Sequence, residues 1–257
     1  MKRRQLFQLT DQDWCPPGLA RLVDEFLVWF VGKTRAAKPF VPVVERALER
    51  AGTRRIIDLR LGVGSGAHVM RRFLPADVVI ETYDLDDLDA IPAREGVYVI
   101  ANGFHRLPGA RARRVLGALV ARRASFVVVE GNNDHPWQAV GMFVFVPLTA
   151  LLTAPFVQPF RLSRLLLTYL LPVLPLLLTL DGAAALFKLY APADMDELFG
   201  ELAAESYGWR SGKAANGRGG KILYAVGHPD PSARARDRCG ARASADASGS
   251  PRWAAPS

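Results

Sequence analysis

Arg54-Arg55-Ile56-Ile57-Asp58-Leu59-Arg60-Leu61-Gly62-Val63-Gly64-Ser65-Gly66-Ala67-His68 is the stretch whose reading decides the fold. Its arginines, short β-branched apolar run and acid read as a buried strand, and the glycines that follow read as the loop ending it. Glycine there lets the backbone take φ > 0 and lets a ligand approach the main chain closely. Ala67 through Phe73 has a helical pattern, so the loop N–H groups would sit at a helix N-terminus, which favours negative groups. In outline this is a nucleotide-type cofactor site. A glycine-rich turn with no ligand is the plainer reading of the same residues.

Outward from this stretch, strands and helices alternate. Asp77 to Asp84 reads as a second strand ending in acids, Gly96 to Ala101 as a third and Ser125 to Glu130 as a fourth. An arginine-rich amphipathic helix, Arg111 to Arg123, joins the last two. This alternation predicts an α/β fold with a mostly parallel sheet and ligands at the carboxyl ends of its strands. An acid about 20 residues past a glycine loop is placed to hydrogen-bond ribose hydroxyls. Asp84 and Glu81 both qualify, and Asp84 is preferred because it lies beyond the apolar run. Asp86, Asp87 and Asp89 crowd the same place, so a surface acidic turn competes with that reading. Asn102, at the end of the third strand, joins Asp58, Gly62, Gly64, Gly66 and Asp84 as a candidate cofactor contact.

Before the glycine loop, Leu19 to Val31 and Val43 to Ala51 read as helices, the second closed by Gly52, and residues 1–52 form a helical cover. The α/β part then comprises 53–135 and 181–229, ending in a β-hairpin through Tyr207-Gly208-Trp209-Arg210 and Lys221 to Gly227. Between its halves, 136–180 is an apolar insertion: no charged residue occurs from Pro136 to Phe160 or from Leu165 to Leu180. Its first run is long enough to cross a bilayer and its second is short for that. A spanning hairpin would carry Arg161 and Arg164 to the far side, against the positive-inside bias. Broken helices lying in the membrane interface fit better, and a buried lid on a soluble domain is the alternative. The tail, 230–257, is rich in Ala, Ser, Arg, Pro and Gly and is expected to be disordered.

The chain of 257 residues carries a formal charge of +8. Nucleic acid is an unlikely partner, because no basic face is interleaved with aromatics. Anionic lipid, or simply a soluble basic surface, accounts for the charge equally well. Cys15 and Cys239 have no metal-ligand spacing and no disulfide framework, which implies a reducing compartment and no metal site. Met1-Lys2-Arg3-Arg4 is not followed by an apolar core, so no signal peptide is expected. These features place the chain in the cytoplasm, with a peripheral position on the inner face of the membrane as an extension of that reading.

A strand with an acid and a glycine loop, an acid-tipped second strand, further parallel strands and a C-terminal hairpin together resemble the class I S-adenosylmethionine-dependent methyltransferases. The chain is most similar to a little-characterised bacterial branch. The matching residues are Asp11, Trp14 and Pro16; Phe104, His105 and Leu107; Pro159-Phe160-Arg161 with Ser163-Arg164; Asp181-Gly182 and Tyr190; and Gly220-Lys221-Ile222 with Tyr224. The resemblance implies S-adenosyl-L-methionine as cofactor. Asp58 and the glycines would hold its methionine part and Asp84 its ribose. One departure stands out: Arg60 occupies the position of the family's first glycine. A long cation near a sulfonium is unfavourable unless it points away.

Methyl transfer needs in-line positioning, exclusion of water and sometimes a base. His105 and Glu130 lie at strand ends where substrate is expected, and Asp181 is a third candidate base. Backbone capping is the competing role for His105, and turn formation for Asp181. The apolar insertion borders this side, so a hydrophobic small molecule or lipid-like acceptor is expected. An NAD(P)-dependent oxidoreductase is a rival, because Gly62 to Ala67 also satisfies Gly-x-Gly-x-x-Ala. A non-catalytic methyltransferase-like module at a membrane surface is another.

Overall fold

The computed structural model describes residues 6–85, 91–131, 136–202, 207–217 and 220–230. The acidic run Asp86, Asp87 and Asp89, and the tail from residue 231 with Cys239, lie outside the described residues. The fold is α/β, built on a six-stranded sheet that is parallel except where its last hairpin joins.

Strands β1 (Arg55–Arg60), β2 (Val79–Asp84), β3 (Val97–Ala101) and β4 (Ser125–Gly131) run parallel. The hairpin β5 (Tyr207–Ala215) and β6 (Lys221–Pro229) closes the sheet, whose order is β2-β1-β3-β4-β6-β5. Strand β6 is antiparallel to both neighbours, as a hairpin that returns to the sheet requires. Every residue of β3 is buried, as expected for a central strand covered on both faces, and β2 at the edge is half exposed.

Alternation along β1 sends Ile57 and Leu59 to one face and Ile56 to the other. The first face packs on α3 (Gly109–Ala121) and α7 (Pro192–Gly200) through Val115, Leu116, Met195 and Phe199. The second packs on α2 (Val41–Ala51) and on the 3₁₀ turn Ala67–Phe73 through Val44, Leu48, Ala67 and Met70. The helix expected after the glycine loop is thus a 3₁₀ segment, short and pulled tight under the sheet edge.

A third cluster lies apart from the sheet. Helix α1 (Pro17–Thr34) packs Leu22, Val23 and Phe26 against Ala150, Val157, Leu174 and Leu178 of the apolar insertion. The insertion comprises α4 (Pro136–Thr153), α5 (Leu162–Leu165) with its π-helical continuation Leu166–Leu170, and α6 (Val173–Lys188). Helix α6 runs unbroken through Asp181-Gly182, so the expected turn there is absent and the boundary at 180/181 falls inside a helix. Gly182 is kept in that helix by close approach: a Cβ on it would stand 2.7 Å from Met142 Sδ of α4.

Candidate functional site

The glycine loop is braced from within. Gly62, Gly64 and Gly66 take φ of 72°, 73° and 118°, values that side chains with a Cβ adopt rarely. Ser65 Oγ accepts from Leu61 N–H and donates to Gly62 O, both at 2.8 Å, and Gly66 N–H donates to Ala101 O at 2.8 Å. Asp58 lies beneath this loop, closed to solvent. Its Oδ1 accepts from Ala67 N–H at 2.7 Å and its Oδ2 from the Thr82 hydroxyl at 3.2 Å. It therefore holds the chain's turn into the 3₁₀ segment. Burial pushes the Asp58 carboxyl above the usual range, against the Ala67 N–H, His68, Thr82 and Arg60, which pull it down. His68 Nδ1 stands 4.0 Å from Asp58 Oδ2, and burial holds its pKa below the ordinary value.

Arg60 points to the side, between two acids. Its Nη2 donates to Asp24 Oδ1 of α1 at 3.4 Å, and its Nε lies 3.9 Å from Asp84 Oδ1. Arg60 and Asp84 are register partners at the ends of β1 and β2, which puts them side by side. Asp84 stays largely open to solvent. Glu81 is engaged along the strand, 3.2 Å from Arg55 and accepting from the Tyr83 hydroxyl at 3.2 Å.

His105 and Glu130, 25 residues apart in sequence, form one unit. Glu130 Oε1 accepts from the His105 backbone N–H and lies against its Nδ1, both at 2.9 Å. A carboxylate there fixes the proton on Nδ1 and leaves Nε2 as the acceptor. His105 Nε2 and Glu130 Oε2 are buried and have no hydrogen-bond partner among the described residues. Orphaned buried polar atoms of this kind mark sites that a water or a ligand completes. The backbone capping considered for His105 is supplied by Glu130, which accepts the His105 N–H while orienting its ring.

A cavity of about 210 Å³ gathers His105, Asn102 and Gly64 with Val23 and Leu27 of α1 and Leu178 and Asp181 of α6. Asn102 takes a left-handed φ of 51° at the end of β3, and its Oδ1 accepts from Gly131 N–H at 3.3 Å. Asp181 faces the N-terminal turn Leu9–Asp11: it accepts from Leu9 N–H at 2.6 Å, Thr10 N–H at 3.0 Å and the Thr10 hydroxyl at 2.5 Å. Arg106 ties the same turn to the loop, pairing with Asp11 and donating to Val63 O at 2.8 Å. A larger groove of about 810 Å³ lies at the amino ends of the strands, with Arg50, Arg122 and His228 in its lining. Arg50 lies in the last turn of α2 and Arg122 caps the C-terminus of α3, where cations complement the helix dipole, and no candidate residue lines this groove.

Asp84 could accept from ribose hydroxyls and Asn102 offers an amide, but the space is small for a nucleoside-linked amino acid. At about 210 Å³ the cavity falls below the roughly 300–1,000 Å³ of small-molecule pockets. Leu27 and Asp24 of α1 cover the loop: a Cβ on Gly64 would meet Leu27 Cδ1 at 2.6 Å, and Gly64 N–H donates to Asp24 Oδ1 at 2.9 Å. In this conformation α1 packs on the loop at Gly64, while Gly62 stays exposed.

Two features escaped sequence reasoning. Asp24 and Glu25 sit on α1 facing different partners, and only their acidity in an arginine-rich chain hinted at it. Glu25 holds Arg161 through a two-pronged pair at 2.6–2.9 Å and accepts from the fully buried Arg164 at 2.5 Å. Arg164 also donates to Val157 O and Pro159 O, both at 2.9 Å. Beyond this network the insertion presents large apolar side chains to solvent, with Phe145 68% and Leu170 72% exposed. No single described helix is long and apolar enough to cross a membrane. Leu162–Leu170 and Val173–Lys188 together are, but they bend by 81°. Among the described residues no cluster of His, Cys, Asp and Glu is arranged to hold a metal.

No protein-family model matches the chain, and no curated protein sequence matches it.

Proposed function

We propose that the chain is an S-adenosylmethionine-dependent methyltransferase of class I type, acting on a hydrophobic small molecule or lipid-like acceptor at a membrane surface. One observation carries the reading: at the carboxyl ends of β1, β3 and β4 a positive-φ glycine loop, Asn102 and the oriented His105–Glu130 pair meet in one place. Ligands of open α/β sheets bind at that end. When bound, the cofactor would supply an electrophilic methyl group. The chain's part would be to position the acceptor, exclude water and take its proton at His105 Nε2. Asp84 would meet the ribose, and Gly64 and Asn102 the remainder.

The acceptor class follows from the surroundings. The cavity is walled by Leu27 and Leu178, and α6 leads from it to the exposed apolar surface. An apolar patch of this breadth marks an interaction site, and its long uncharged runs fit lipid better than a folded protein's mixed rim. The net charge of +8 complements an anionic leaflet. A peripheral place on the inner face of the membrane follows from the same argument.

The test is methyl transfer from S-adenosylmethionine labelled in its methyl group, with vesicles of phosphatidylethanolamine and phosphatidylglycerol and with a total lipid extract. Label should appear in the organic phase and depend on His105. Label confined to the aqueous phase under both conditions contradicts a lipid acceptor. A second reading, a non-catalytic membrane-surface module, is favoured by the cover that Leu27 and Asp24 place on the loop. It predicts vesicle binding without cofactor binding.

A further inference from the structure

We propose that α1 is a latch on the glycine loop: Asp24 stands where a ligand's anionic group would sit, and lipid contact at the apolar insertion, passed through Glu25, lifts it off. The inference rests on the membrane-surface reading above and adds the regulation of the same site.

The geometry of Asp24 is that of a bound carboxylate. Its Oδ1 takes the Gly64 N–H at 2.9 Å and the Arg60 guanidinium at 3.4 Å, a main-chain donor and a cation converging on one oxygen. A main-chain N–H and a guanidinium that converge on one point favour an anion, and the chain places its own carboxylate there. Leu27, one turn further along α1, seals the same spot against Gly64. While α1 stays in place, the Gly64 N–H is taken and Leu27 fills the space beside it. Arg60 thereby gains a role: it is the cationic donor of that pair, turned between Asp24 and Asp84.

Glu25, the next residue, faces the other way. It binds Arg161 and Arg164, which bracket the start of α5, while Arg164 also gathers Val157 O and Pro159 O from the segment before it. The insertion's exposed apolar side chains lie just beyond. Successive acids on one helix therefore grip the cofactor loop and the lipid-facing insertion. A helix held at both points moves with the insertion, because side chains packed as Leu22, Val23 and Phe26 are against Leu174 and Leu178 do not slide independently.

Amide hydrogen exchange over residues 61–66 of the full chain reads the latch without requiring a cofactor. It is measured with and without vesicles of phosphatidylcholine and phosphatidylglycerol. Vesicles should speed exchange at Gly64 about tenfold or more, the scale that one charge-assisted hydrogen bond supports. Asp24→Ala, which removes the acceptor, should exchange that fast without vesicles, and Asp24→Asn, which keeps an uncharged acceptor, should fall between, with circular dichroism as the check on folding. Glu25→Gln should bind vesicles but leave the loop slow. A chain that sediments with vesicles while its loop stays slow, or an Asp24→Ala loop as slow as wild type, overturns the latch. A chain that does not sediment with vesicles overturns the membrane-surface reading itself.

Discussion

Glu130 sets what His105 can do. With Oε1 held by the His105 backbone N–H and ring Nδ1, both at 2.9 Å, the histidine presents Nε2 as its only acceptor. Glu130→Ala leaves both donors without their buried partner and should cost about 2 kcal/mol of stability in denaturant unfolding. His105→Gln should instead lower methyl transfer by about 100-fold or more while leaving cofactor binding near wild type. His68 gives a pH signature. Burial holds its folded pKa below 6.5, so between that lowered value and 6.5 the unfolded chain binds more protons than the folded one. Its share of stability is present above 6.5 and is lost as pH falls through the window. His68→Gln should make stability depend less steeply on pH there, as unfolding measured at several pH values below 6.5 will show. At this scale much was legible. The positions of the glycines, Asp84, Asn102 and His105 follow from where strands end. The pairing of His105 with Glu130 was not, because residues 25 apart meet only through the parallel register of β3 and β4.

The elements show where sequence patterns mislead. Asp181-Gly182 looks like a turn because both residues disfavour helix interiors. Here α6 continues through them, since Asp181 is needed to hold the N-terminal turn and Gly182 lets Met142 approach. The partners of α1 were equally hidden: an amphipathic pattern reveals which face is apolar and says nothing of what the polar face grips. Glu25 is the most consequential of these residues. Glu25→Ala strands Arg164, which is fully buried, and should cost about 3 kcal/mol or more, lowering the thermal midpoint measurably. The conservative Glu25→Gln keeps an acceptor for Arg164 and should cost less.

For the whole molecule, alternation of strands and helices was enough to read an α/β sheet with a terminal hairpin. The strand order β2-β1-β3-β4-β6-β5 was not legible, because order is set by crossovers and by packing on both faces. Composition also marked the apolar insertion but not that it leans on α1, so the packing of α1 on both the insertion and Gly64 became visible only in three dimensions. Phe145 and Phe143 belong to the exposed apolar surface. Phe145→Glu with Phe143→Glu should weaken vesicle binding more than tenfold in sedimentation, since each ring forfeits about 2 kcal/mol of burial in lipid.

On the proposed reading the glycine loop holds S-adenosylmethionine, and α1 restrains it. Calorimetric titration of S-adenosylmethionine, its demethylated product and NAD into wild type and Asp24→Asn tests it most directly. Heat is expected with the first two ligands, none with NAD, and binding about tenfold tighter in Asp24→Asn than in wild type. No heat from S-adenosylmethionine or its product with either protein would contradict it.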